Sequence, residues 1–186
     1  IDMRCRVTVA GSADYFLDRA TKFNRLDKLP ALSNGSIDAF IGELDAAGVT
    51  TAVSVSGLNP GATLGRYELP PRTTSNDFMA EVQRRHPGRI LGVAGIDVSN
   101  QFHDALAELE RCATTLGLRA VFIEPGRAPG CLLNDRRLYP LYERCQDLKL
   151  TLIPQTSGVL GGRLVDYASP RYIEEVADDF PRLHIV

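Results

Sequence analysis

The sequence predicts an α/β chain that forms the N-terminal five to six units of a (β/α)8 TIM-type barrel. Three observations point there. Short apolar runs alternate with helical patterns along the chain, and repeated strand–helix units imply parallel strands joined by right-handed crossovers. No glycine-rich phosphate loop follows the first strand, which disfavours an open doubly wound sheet. The chain has 186 residues and reaches its sixth strand only at its end, whereas a complete barrel takes about 250. A barrel opened there would expose strand edges and leave its interior unfilled. The expectation is therefore a single barrel domain over residues 1–186, incomplete at its C-terminal side and part of a longer protein.

The elements follow in order. The first strand is read over residues 1–7. Side chains alternate along a strand, so Arg4 and Arg6 share one face and Cys5 takes the other. Residues 8–35 mix Tyr15, Phe16 and Phe23 with charges and are read as a lid insertion carrying a short helix; Arg25 and Lys28 there are taken as surface charges. Ser36 caps a helix with an apolar face of Ile37, Phe40, Ile41 and Leu44, and Gly48 stops it. Residues 51–55 are the second strand, ending in Ser56-Gly57. Residues 57–73 are rich in Gly and Pro and read as a loop over the barrel mouth.

Thr74 or Ser75 caps the next helix, which carries Phe78, Met79 and Val82. Residues 90–96 are the third strand. A helix over about 102–116 follows, with Leu106, Leu109 and Cys112 on one side. Residues 118–123 are the fourth strand. Asn134 or Asp135 opens a helix that runs through Leu148, and 150–153 is the fifth strand. A helix over 170–179 has Pro170 in its first turn, and 183–186 begins a sixth strand.

The formal net charge of −2 gives no bulk field for nucleic acid, and no apolar run approaches the roughly 20 residues of a membrane helix. The N-terminus lacks the basic start and apolar stretch of a signal peptide, and because the first residue is Ile a start is expected to be missing. Cys5, Cys112, Cys131 and Cys145 show no CxxC spacing and read as reduced thiols of a cytoplasmic protein, with Cys5 in packing. The expected partner is a small carboxylate. A homo-oligomer is left open, since no stripe identifies an interface.

The chemistry begins with the two arginines. A cation facing a barrel interior is costly unless it meets an anion. Arg4 and Arg6 therefore call either for internal carboxylates, with Glu124 or Asp2 as candidates, or for an anionic ligand; both can hold. Two guanidiniums can grip a carboxylate in a fork or stabilise a developing oxyanion. Glu124 ends the fourth strand, where a barrel presents catalytic side chains, and suits orienting a substrate or accepting a proton. Arg127 on the following loop is within reach of an anion. Gln155 and Thr156 end the fifth strand as neutral hydrogen-bonding groups, and Ser56 ends the second without a G-x-S-x-G elbow. His86, His103 and His184 have no HxH or HExxH spacing.

Four segments in order carry a family resemblance: Thr74-Ser75-Asn76-Asp77 with Arg84-Arg85-His86-Pro87-Gly88-Arg89; Gly95-Ile96-Asp97; Gly117-Leu118-Arg119-Ala120-Val121; and Asn134-Asp135-Arg136-Arg137-Leu138-Tyr139-Pro140-Leu141-Tyr142. Over roughly residues 36–186 the chain resembles the amidohydrolase-related family, which includes the aminocarboxymuconate-semialdehyde decarboxylase type. The resemblance implies a barrel with its active site at the C-terminal strand ends and a metal held by histidines. The family's first-strand His-x-His falls on Arg4-Cys5-Arg6 and its fifth-strand histidine on about Gln155. Its sixth-strand histidine and eighth-strand aspartate fall beyond Val186. A guanidinium has no lone pair to donate.

The expectation is thus an amidohydrolase-like hydrolase or decarboxylase of a small, cyclic or aromatic carboxylated compound, working without the usual metal. Glu124, Arg4 and Arg6 would be catalytic, and Gln155, Thr156, Arg127 and Ser56 would bind substrate. The alternatives are a divalent metal such as zinc after all, a non-catalytic metabolite-binding barrel, or a metal-free lyase or isomerase of a biosynthetic pathway.

Overall fold

The structure is a computed structural model and describes residues 1–7, 13–55, 62–64, 67–69, 73–98, 102–124, 132–156 and 169–186. In chain order it runs β1 (Asp2–Cys5), α1 (Ala13–Lys22), α2 (Pro30–Asn34), α3 (Ile37–Ala46), β2 (Ala52–Val55), β3 (Ala62–Leu64), β4 (Tyr67–Leu69), α4 (Asn76–Arg85) and β5 (Ile90–Gly95). It continues with α5 (Phe102–Thr114), β6 (Ala120–Ile123), α6 (Tyr139–Asp147), β7 (Thr151–Pro154), α7 (Arg171–Asp179) and β8 (His184–Ile185).

Six strands form one sheet in the order β1-β2-β5-β6-β7-β8, and every neighbouring pair is parallel. The sheet is curled into a half-barrel, and one contact shows how strongly. β1 and β7 are four places apart in the sheet. Flat, they would lie about 19 Å from each other at the usual strand spacing. Yet Arg4 Nη2 on β1 donates to Gln155 Oε1, just past β7, at 2.5 Å. Two side chains meet across that span only if the sheet bends round between them.

The two faces of the sheet alternate with a period of two. The concave face carries Val53, Val55, Val93, Phe122 and Ile153 as one apolar cluster. The convex face packs Ala52, Ile90, Ala94, Val121, Ile123 and Leu152 against the helices, where Met79, Leu109, Tyr142 and Val176 are buried. Tyr142 is wholly buried and its hydroxyl donates to the Leu133 carbonyl at 2.7 Å, so the polar tip costs little. At Gly92 an added Cβ would lie 2.9 Å from Leu118 Cδ2 and 3.2 Å from the Met79 carbonyl oxygen. Only glycine lets α4 approach β5 this closely.

The structure resolves the capping alternatives. Ser36 Oγ accepts from Ala39 N at 3.3 Å, and Ser75 Oγ, not Thr74, accepts from Phe78 N at 3.2 Å. Asp135 caps a 3₁₀ turn (Arg136–Leu138) that leads into α6. Three expectations need correction. Residues 57–73, read as a loop, contain an antiparallel ribbon in which Ala62 pairs with Leu69 and Leu64 with Tyr67. The surrounding Gly and Pro hid two three-residue runs that include the β-favouring Thr63 and Tyr67. The first strand is also shorter than expected. Residues 13–34 hold two helices and a 3₁₀ turn (Leu26–Lys28), more helix than the one short helix expected.

Asn76 fixes the end of β5. Its Oδ1 accepts from Gly95 N at 2.8 Å and its Nδ2 donates to the Gly95 carbonyl at 3.0 Å, so a side chain completes both backbone bonds of that residue. The same Nδ2 donates to Glu108 Oε1 at 2.7 Å. Arg111 in turn grips Glu108 and Asp77, and its hydrogen bonds, with its charge adding to them, hold both carboxyls below their usual range. Asn76 is 1% exposed. Asn76→Ala would strand a buried N–H and a buried C=O, each costing about 1–3 kcal/mol. A fall in the urea midpoint at constant m-value is expected; a midpoint unchanged within error would show that water replaces the side chain.

Candidate active site

The site grows out of the concave face. β1 carries one extra residue against β2: Asp2 pairs with Ala52 and Cys5 with Ser54, three steps matched by two. Bulges of this kind re-aim side chains. Cys5 and Val7 pack outward with Phe40 and Ala52, leaving Arg4 and Arg6 to the concave side. There both guanidiniums stand over the Phe122 ring, with Cζ 5.8 Å and 5.4 Å from its centroid for Arg4 and Arg6. Phe122 is 2% exposed, so it forms a rigid aromatic floor under two positive charges. The Arg6 Nη2 atom is buried and Arg4 lies nearer the open side.

Gln155 and Glu124 complete the wall. Each is 5% exposed. Glu124 follows Ala120 and Phe122 at the same spacing of two on β6, which places it above the aromatic floor at the C-terminal end of the sheet. Gln155 N donates to the Ile123 carbonyl at 2.9 Å, which brings Gln155 alongside Glu124. Gln155 also takes the hydrogen bond from Arg4 described above, fixing that guanidinium. The carboxylate partner considered for Arg4 is not what it meets: Asp2 Oδ1 accepts from the Arg4 backbone N at 3.0 Å, and the guanidinium goes to a neutral amide. The acceptor that Arg4 meets is therefore neutral.

Two residues belong to this wall that the sequence reading did not select. Phe122 was hidden because its role depends on the curl of the sheet. Asp97 follows β5, flanked by Ile96 and Val98, which are both buried in the convex core. Alternation therefore turns Asp97 to the concave side, next in register to Glu124, since Gly95 pairs with Phe122. The alternation was readable in Gly95-Ile96-Asp97.

Thr156 is exposed beside Gln155, and among the described residues no hydrogen bond joins it to the other candidates. Ser56 and Arg127 lie outside the described residues, as does Cys131. The described cysteines Cys5, Cys112 and Cys145 are free. Burial pushes the Cys5 thiol up to about 12, with Asp2 adding to the shift, so it is a packing group and not a nucleophile. His86 ends α4 as its C-cap and His184 sits on β8 at the sheet edge, both apart from the wall.

The residues present do not fit a divalent metal at the positions the resemblance implies. Arg4 and Arg6 offer positive charge and no lone pair, and Gln155 Oε1 is already engaged by Arg4. Among the described residues no three His, Cys, Asp or Glu side chains are grouped to hold one.

Beside β1 lies an open cavity of about 600 Å³, walled by Arg4 and Arg6 on one side and by α1 and its following turn on the other. This volume suits a small organic ligand. Arg25, expected as a surface charge, is exposed and also borders this cavity.

A family model described as Amidohydrolase matches residues 1–186. No curated protein sequence matches the chain. Among solved structures, an uncharacterized TIM-barrel protein from Bordetella bronchiseptica is similar with a TM-score of 0.73 and 28% identity, covering 99% of this chain and 64% of that one. A 4-oxalomesaconate hydratase from Rhodopseudomonas palustris gives 0.62 and 17%, with 99% and 60% covered. A 2,6-dihydroxybenzoate decarboxylase from Rhizobium gives 0.60 and 16%, with 99% and 62% covered. The chain thus spans between 60% and 64% of the length of these relatives, and the last two share its fold.

Proposed function

The chain belongs to the amidohydrolase family, and we propose that the protein hydrolyses or decarboxylates a small cyclic or aromatic carboxylate without a catalytic metal. One observation carries this reading: two guanidiniums sit over a shared aromatic floor, and one of them is fixed by a neutral amide. A substrate carboxylate enters between Arg4 and Arg6 in charge-assisted hydrogen bonds, and a flat ring is guided by Phe122. The permanent cations stabilise negative charge that develops as a bond to the substrate breaks. Glu124 orients the substrate or accepts a proton at the strand end. Thr156, Ser56 and Arg127 are assigned to substrate contacts. The fold neighbours named for a hydratase and a decarboxylase of carboxylated compounds support the substrate class. The described free thiols accord with a reducing, cytoplasmic setting.

The test is a calorimetric titration of benzoate into the wild-type protein and the Arg4→Ala and Arg6→Ala variants. Loss of a hydrogen bond to a charged group costs about 1.5–3 kcal/mol, so each variant should bind about 10–100-fold more weakly. Unaltered affinity in both would defeat the proposal. Elemental analysis of unchelated protein checks the other half: one tightly held zinc per chain would overturn the metal-free reading.

A further inference from the structure

We propose that Ser54, on the helix-facing side of β2, is a positioning residue for Arg6 and so tunes how tightly the site grips a carboxylate. The inference rests on the function proposed above. Its basis is the way β1 ends. The β1 ladder stops at Cys5, which pairs with Ser54. Val7 lies just beyond and is 2% exposed, so its N–H needs an acceptor inside the protein. Val7 N donates to Ser54 Oγ at 3.1 Å. Arg6 is therefore the one residue between two attachments to Ser54, the Cys5 pairing on one side and the Val7 amide on the other.

Ser54 is wholly buried, and the layer around it is apolar: Val7, Ala52, Met79 and Ile90 form one cluster there. A hydroxyl in such a layer is costly unless it is used. Ser54 uses both of its capacities, accepting from Val7 N and donating to Met79 Sδ at 3.9 Å. What it holds is the backbone that carries Arg6. That backbone matters because Arg6 reaches far. Its guanidinium stands over Phe122 on β6, three places from β1 in the sheet, with Cζ 5.4 Å from the ring centroid. Arginine has much rotamer freedom to lose, and a charged tip is aimed only as well as its root is fixed. Arg4 is held in another way. It precedes Cys5 inside β1, and its guanidinium donates to Gln155. Ser54 thus serves one of the two arginines and not the other.

Calorimetric titration of benzoate into a set of single and double variants tests this. Ser54→Ala should bind benzoate about 2–10-fold more weakly, the worth of one neutral hydrogen bond. That loss should vanish when Ser54→Ala is added to Arg6→Ala and persist when it is added to Arg4→Ala, because only coupled residues depart from additivity. Should Ser54→Ala fail to fold in urea titrations, Ser54→Cys carries the same comparison, since it keeps a side chain of similar shape with a weaker acceptor. An equal loss in both arginine backgrounds would mean a general loosening of the fold and would overturn the inference. So would wild-type affinity in the Ser54 variant, or in Arg6→Ala alone. The proposed function survives each of those results as long as Arg4→Ala weakens binding. Unaltered affinity in both arginine variants would remove the function and this inference together.

Discussion

Exchanging Glu124 for Gln is expected to cut turnover by about 10²–10⁴-fold while KM changes little, the range set by removal of a positioned acid–base group. Glu124 is 5% exposed, above the aromatic floor and beside Gln155. Gln keeps the size and hydrogen-bonding shape of the side chain but cannot take a proton, so the variant separates proton transfer from packing. Two measurements decide the result. Urea unfolding should show a stable fold, and steady-state rates on a carboxylated aromatic should show the drop in kcat. A drop of less than threefold with a large loss of stability would make Glu124 a structural residue. A drop in affinity alone, with no turnover to lose, would favour the non-catalytic binding barrel.

The second large effect is expected at Phe122. Truncating a buried Phe to Ala costs about 3–5 kcal/mol from lost burial and the cavity left behind. Here the ring is 2% exposed and packs with Val53, Val93 and Ile153 at the centre of the concave face. Phe122→Ala should therefore shift the urea midpoint strongly. Phe122→Leu tests the finer role, because it keeps most of the apolar volume at a cost below about 1.5 kcal/mol when tolerated. Both guanidiniums lose their ring, so benzoate should bind more weakly in Phe122→Leu although the fold persists. If Phe122→Leu binds benzoate like the wild type, the ring is only a core residue and the arginines are seated by other contacts.

The parts of this site that could be read from sequence are those set by local periodicity. Alternation along one strand put Arg4 and Arg6 on the same side and Cys5 on the other, and strand ends pointed to Glu124 and Gln155. These are short-range consequences of backbone geometry. The meeting of Arg4 with Gln155 is of another kind, since 151 positions separate them in the chain. It depends on how far the sheet bends, and bending is a property of several strands together. Phe122 was hidden for the same reason. The β3–β4 ribbon was missed because turn-forming residues dominated the window around it. Helix caps were legible to within one residue, as Ser36 and Ser75 show.

The Arg4–Gln155 hydrogen bond acts as a tie rod between the two limbs of an arch. Backbone ladders run only between adjacent strands, so they govern the arch piece by piece and leave its gape free. A molecule that draws Arg4 away from Gln155 must itself become the crosspiece. The width of the opening then follows the girth of whatever is held in it.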